Sequence, residues 1–215
     1  EDPELSEWFV RNFRQVAESS EQDIAKRTLA SSIEKLIRSR GWQRVFVGTG
    51  TFFAWKEGDP SRRVAPDVYL LADRPKQLQP IWCTWRPETL PPCFAVEIVS
   101  KRWTKDYVLD PVKYEELGCK ELVIFDPHAT PSATHPRQRV PLTIFRRTDE
   151  GRLEPVYSGK GPARSEQLDI WLFPIRSTYS PTLRLSEDEA GTRIVLTGDE
   201  SDEATGRELA RREAE

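Results

Sequence analysis

Two acidic residues stand in apolar runs that have no ordinary use for charge. Glu97 lies in FAVEIVSK (94–101), with Phe94, Ala95 and Val96 before it and Ile98 and Val99 after it. Asp67 opens VAPDVYLLA (64–72), behind Pro66, which sets an extended entry and carries no N–H to satisfy. An unpaired buried carboxylate costs on the order of several kcal/mol, so each must be neutralised, paired or bound to a metal. Two acids at the ends or middles of neighbouring strands can point at one spot. Mg²⁺ binds a few carboxylates together with waters and substrate phosphate oxygens, and such a pair suits it. There the ion would stabilise charge on a phosphodiester and lower the pKa of an attacking water. The competing account makes Asp67 a turn cap and pairs Glu97 with an Arg or Lys.

Immediately after the second run, KRWTK (101–105) places Lys101, Arg102 and Lys105 around an aromatic. That pattern reads as phosphate contact followed by base stacking, and so as DNA binding. Trp82, Trp85 and Trp103 either stack on bases or anchor their loops to the core, the commoner use of large aromatics. Arg62 and Arg63, just ahead of Asp67, are a further phosphate contact or a solvated turn. His128 and His135 lack the spacing of zinc ligands. Cys83, Cys93 and Cys119 form no metal or redox pair, and their odd number points to reduced thiols in a cytoplasmic protein.

These residues need elements to hold them. Leu5, Trp8, Phe9, Phe13 and Val16 predict a helix over 4–17. A longer one is predicted at about 21–39, with Ser20 and Asp23 as a capping box and Ile24, Ile33, Leu36 and Ile37 as an apolar stripe that stops at Gly41. Three strand-like runs follow: VFVGTGTFFAW (45–55), with Gly48 and Gly50 marking a bend or bulge, then 64–72 and 93–100. The Pro- and Trp-rich segment between the last two reads as an ordered loop. KDYVLDPVKYEELG (105–118) predicts a helix whose first turn takes Pro111 if it begins near Asp110, and ELVIFDP (121–127) predicts a buried strand. Helix, three strands, helix, strand is the order of an α/β fold with a mixed sheet flanked by helices. Further on, 141–147 and 152–159 predict a hairpin around the DEG turn at 149–151, and LDIWLFP and LRLSEDEAGTRIVLT predict extra strands. Residues 200–215 read as a loose helix or disordered tail, dispensable for folding.

Three blocks, APDVYLLA, AVEIVSK and KDYVLDPVKYEELGCKELVIFDP, resemble in order and separation the "putative restriction endonuclease" family called Uma-two. The resemblance extends over about residues 20–190. It implies the restriction-endonuclease-like PD-(D/E)XK nuclease fold, a mixed central sheet of αβββαβ topology, here with extra C-terminal strands. It also implies a metal site at Asp67 and Glu97 for Mg²⁺ (with Mn²⁺ as substitute) and hydrolysis of DNA by an endonuclease. The family pattern wants a lysine two residues after the strand carboxylate, where this chain has Val99, or four residues before the helix Tyr, where it has Asp110. Lys113, beside Tyr114, is therefore the candidate catalytic lysine, with Lys105 and Lys101 behind it. A fourth catalytic group is expected on the long helix. Glu21 is chosen for it, since Glu34 is placed for an i,i+4 pair with Arg38. The alternative is a catalytically inactive nuclease-fold module that binds DNA or protein.

The remaining composition frames these expectations. The chain has 215 residues, 37% hydrophobic and 31% charged, and no Met, which implies a start trimmed from its initiator. One domain is expected over 1–190, with a core at about 20–127 and a β extension at about 140–196, followed by a charged tail at 197–215. No apolar stretch suits a membrane and no signal-peptide pattern is present. Net charge is −3, but ten acids and four bases fall from Glu187 onward. The preceding body holds 25 acids and 28 bases, compatible with DNA as partner and with a homodimer.

Overall fold

The structure, a computed structural model, describes residues 20–100, 103–129, 139–176 and 180–213. The helix expected at 4–17, and Lys101 and Arg102 with it, lie outside the described residues. Helix α1 (Ser20–Ser39) buries Ala25, Leu29, Ile33 and Leu36, one stripe at helical spacing, and ends where Gly41 takes a left-handed φ of 65°. Its stripe packs on alternate residues of the central sheet: Val68 and Leu70, Phe94, Val96 and Ile98, Val123 and Phe125. The intervening residues Tyr69, Leu71, Ala95, Val99, Leu122 and Ile124 line the other face, against Tyr114 and Leu117. The period of two thus sends each strand's apolar residues to two separate cores.

That central sheet has six strands. In spatial order they are β1 (Phe46–Gly48), β4 (Val68–Leu71), β6 (Phe94–Ile98), β7 (Glu121–Phe125), β8 (Leu142–Arg147) and β9 (Leu153–Gly159). Only β6 and β7 run parallel, and a parallel pair needs a crossover. The crossover is a π-helical turn (Lys105–Leu109) continuous with α2 (Asp110–Leu117). Pro111 has no N–H, and its ring crowds the carbonyl one turn back. Upstream of it the helix is widened, so that the Asp110 N–H bonds the Lys105 carbonyl five residues earlier. Gly118, at φ 93°, ends α2.

The run at 45–55 is not one bent strand. Gly50, at φ 61°, turns the chain, and β2 (Phe52–Ala54) leaves for a second sheet between β3 (Arg63–Val64) and β5 (Ile81–Cys83). The segment expected to be all loop therefore contributes a strand. Trp82 on β5 is buried, donates its indole N–H to the Tyr69 hydroxyl at 2.9 Å and packs on Phe53, so its use is packing. The Tyr69 ring in turn lies so close over Gly48 that a Cβ there would meet it at 2.2 Å.

The hairpin of β8 and β9 turns at the expected place. A third sheet holds β10 (Ala163–Ser165), β11 (Ile170–Arg176) and β12 (Pro181–Ser186), and β12 packs against α1. Helix α3 (Gly198–Glu213) covers most of the predicted tail. Its start is tied down: the Gly198 N–H donates to Ser31 Oγ, Lys35 donates to Ser201 Oγ, and Arg184 pairs with Glu200. Among the described residues no helix is long and apolar enough to cross a membrane.

Candidate active site

Antiparallel pairing sets Val68 opposite Val96, and one further step of that register brings Asp67 across from Glu97. The same alternation turns both carboxylates to the face of Tyr69 and Ala95, beneath α2. Asp67 accepts the Ile98 N–H on Oδ2 at 2.6 Å. Glu97 accepts the Tyr114 hydroxyl on Oε1 at 2.7 Å, so α2 fixes the strand carboxylate from above.

Two more acids join them from the crossover. Asp106, Asp110 and Tyr114 recur every four residues along its inner side. One carboxylate oxygen from each of Glu97, Asp106 and Asp110 lies within 4.8 Å of the others. All are buried: Asp67 is 9% exposed, Glu97 5%, Asp106 4% and Asp110 0%. Asp106 accepts the Ser100 N–H at 3.2 Å. Neither oxygen of Asp110 has an aligned hydrogen-bond donor. Lys105 Nζ stands 2.9 Å from Asp110 Oδ2 and 3.6 Å from Asp106 Oδ1 as an ion pair.

The electrostatics follow from this crowding. Burial pushes the Glu97 carboxyl well above the usual range; the charges of Asp67 and Asp110 push the same way, and Lys105 opposes them. Burial likewise raises Asp106. Lys105 is desolvated, which works against its charge, yet Glu97 and Asp110 more than reverse that and hold it protonated. Tyr114 is raised by burial and by Glu97, and so remains a donor.

A second knot, half-buried around the buried Asp126, holds the π-helical turn. Arg139 binds Asp126, just past the end of β7, through two hydrogen bonds of 2.7 Å. The Tyr107 hydroxyl from the turn lies 3.0 Å from Asp126 Oδ2 and 2.9 Å from the Val140 carbonyl. Trp103 completes the group, 6.0 Å below the Arg139 guanidinium and edge-on to Tyr107.

Residues 13–172 match the family model described as "Uma2: Putative restriction endonuclease". The chain belongs to the Uma2 family. No curated protein is significantly similar to it in sequence. Among solved structures it is similar to a crystal structure of "a putative nuclease belonging to DUF820 from Anabaena variabilis". That similarity has a TM-score of 0.49 at 12% identity and covers 73% of this chain and 78% of the other.

The candidate residues of this Uma2 member fall into two groups. Asp67, Glu97 and Lys105 come together. Lys113 does stand in the first turn of α2, half-buried, but no ion pair among the described residues links it to the carboxylates; the lysine beside them is Lys105. Glu21 faces outward and pairs with His128 at 3.2 Å, both side chains about half exposed. Its neighbour Gln22 is the α1 residue that reaches the carboxylate strand, donating to the Ile98 carbonyl at 3.0 Å. Glu34 pairs with Arg38 at 3.9 Å, the helical pair its spacing predicts. Arg62 is engaged by Glu116 and Asp59, and Arg63 lies over Phe52. Sequence reasoning passed over Asp106 and Asp110 as site residues. Their signal was the D-x-x-x-D-x-x-x-Y spacing, together with an acid standing where the family pattern has a lysine.

Proposed function

We propose that this chain is a divalent-metal-dependent endonuclease that hydrolyses DNA phosphodiester bonds, with Asp67 and Glu97 holding the ion and Lys105 beside it. The observation that carries this reading is the meeting of two strand carboxylates, opposite one another and buried on one face, with a lysine ammonium close by. Family membership supports a nuclease; the metal, the DNA substrate and the roles below are our reading.

The donor set fits a hard cation. It is all oxygen, buried and net negative even with Lys105 counted, and Asp110 Oδ1 meets no donor. When bound, Mg²⁺ or Mn²⁺ would neutralise phosphodiester charge and lower the pKa of a water. The protein's own part is positional. The Ile98 N–H holds Asp67 Oδ2 in place. Tyr114 does the same for Glu97. Lys105 supplies the positive charge that Val99 cannot, and offsets charge developing on the phosphate as water adds. Lys101 and Arg102, next in the chain, are assigned to flanking phosphates.

Incubating the protein with supercoiled and single-stranded DNA in Mg²⁺ or Mn²⁺ tests the reading, with Asp67→Ala as control. Metal-dependent cleavage absent from the variant is expected. Intact DNA in both metals would leave the inactive binding module as the better account.

A further inference from the structure

We infer that Asp106 and Asp110 complete the cation site with Glu97, and that Lys105 is the resident counter-charge which an arriving divalent cation displaces. This deepens the reading above and rests on it for the position of the ion, but its test needs no cleavage. The starting point is Asp110. It is fully buried, Lys105 reaches only its Oδ2, its Oδ1 meets no donor, and it stands beside Glu97 and Asp106. A carboxylate left in that condition costs more than one in water or in a hydrogen-bonded pair. A cation among the three carboxylates removes the cost, and the spacing is right: oxygens within 4.8 Å of one another can share an ion that takes each at about 2.1–2.5 Å.

Lys105 occupies the same neighbourhood from the side. A single ammonium, 2.9 Å from one oxygen of Asp110 and 3.6 Å from Asp106, balances one of the three charges. A divalent ion balances two and coordinates rather than merely attracts. The ammonium and the ion repel one another at such range, so the lysine gives way. Its side chain is about half exposed, which gives it solvent to move into, and from there it can meet a phosphate. The acid at position 110 and the lysine at position 105 are thus one exchange.

The test is Mn²⁺ binding to the full chain without DNA, followed by electron paramagnetic resonance of the free ion. Asp110→Asn and Asp106→Asn, which keep shape and remove charge, are each expected to weaken binding fivefold or more, and Lys105→Met to tighten it twofold or more. Weakening of less than fivefold in either Asn variant overturns the inference, as does a parent chain that takes up no Mn²⁺. Circular dichroism melts establish that the variants fold. Should an Asn variant not fold, Lys105→Met decides alone: tighter binding upholds the exchange, and unchanged or weaker binding overturns it. The two readings fail separately. Mn²⁺ binding that depends on Asp106 and Asp110, with no DNA cut, upholds the site and ends the nuclease. Cleavage that dies with Asp67→Ala while Asp110→Asn binds Mn²⁺ normally does the reverse.

Discussion

At the scale of single residues, Glu97 reports most directly on what the site needs. Its carboxyl is raised by burial and by Asp67, and Asp106 is raised by burial as well. A raised acid in the folded state binds a proton that the unfolded chain releases. The stabilisation is therefore fully present below the ordinary carboxylate range, and it fades as pH rises toward the folded values. Metal-free protein is expected to melt at progressively lower temperature as pH climbs above the ordinary carboxylate range. Saturating Mn²⁺ should reverse most of that loss. Glu97→Gln, a neutral isostere, should raise the melting temperature of the metal-free protein at pH 8 and flatten its pH dependence; a variant that melts lower there contradicts the account. Asp67 and Glu97 stood out as candidates in the sequence because each lies in an apolar run, where a charge needs a partner or an ion. Asp106 and Asp110 were not. Acids near a helix start have an ordinary explanation in the helix dipole, and nothing in local spacing announces a π-helical turn.

Among the elements, that turn is the one on which the site depends, because it delivers Asp106, Asp110 and Lys105 together. The knot of Asp126, Arg139 and Tyr107 holds it to the end of β7. Asp126→Asn should break the bidentate pair and leave the half-buried Arg139 without its carboxylate, at a cost of about 2 kcal/mol measured by urea unfolding. It should also weaken Mn²⁺ binding, although Asp126 is no part of the carboxylate cluster. Unchanged stability would show that the knot is incidental. Nothing in ELVIFDP announces the knot, because a local pattern shows a buried strand and not the partner that its acid finds. The strands themselves were easier: 93–100, 121–127 and the hairpin at 141–159 formed close to their expected limits because their patterns are satisfied within one sheet. The run at 45–55 failed because Gly50 sends its two halves to different sheets, a tertiary choice invisible in a local window.

For the whole molecule, the C-terminal stretch raises a question of stability. Its charged composition predicted a dispensable tail, yet Glu200 and Ser201 are tied to Arg184 and Lys35 across the body. Deleting 200–215 should lower the melting temperature by about 2–4 °C, the equivalent of roughly 1 kcal/mol in a chain of this size. Deleting only 203–215 should leave it near the parent; equal losses would place the docking further along α3. Composition shows how soluble a helix is, but not which of its first residues find partners on another element. The measurement that bears most directly on the central claim is cleavage of supercoiled DNA in Mg²⁺ and Mn²⁺ by the parent chain beside Asp67→Ala, Glu97→Gln, Lys105→Met and Lys113→Ala. The account predicts that the parent and Lys113→Ala cut in a strictly metal-dependent way while the other three fall at least 100-fold. Cutting by Lys105→Met at the parental rate, or cleavage that survives loss of both Asp67 and Glu97, would contradict it.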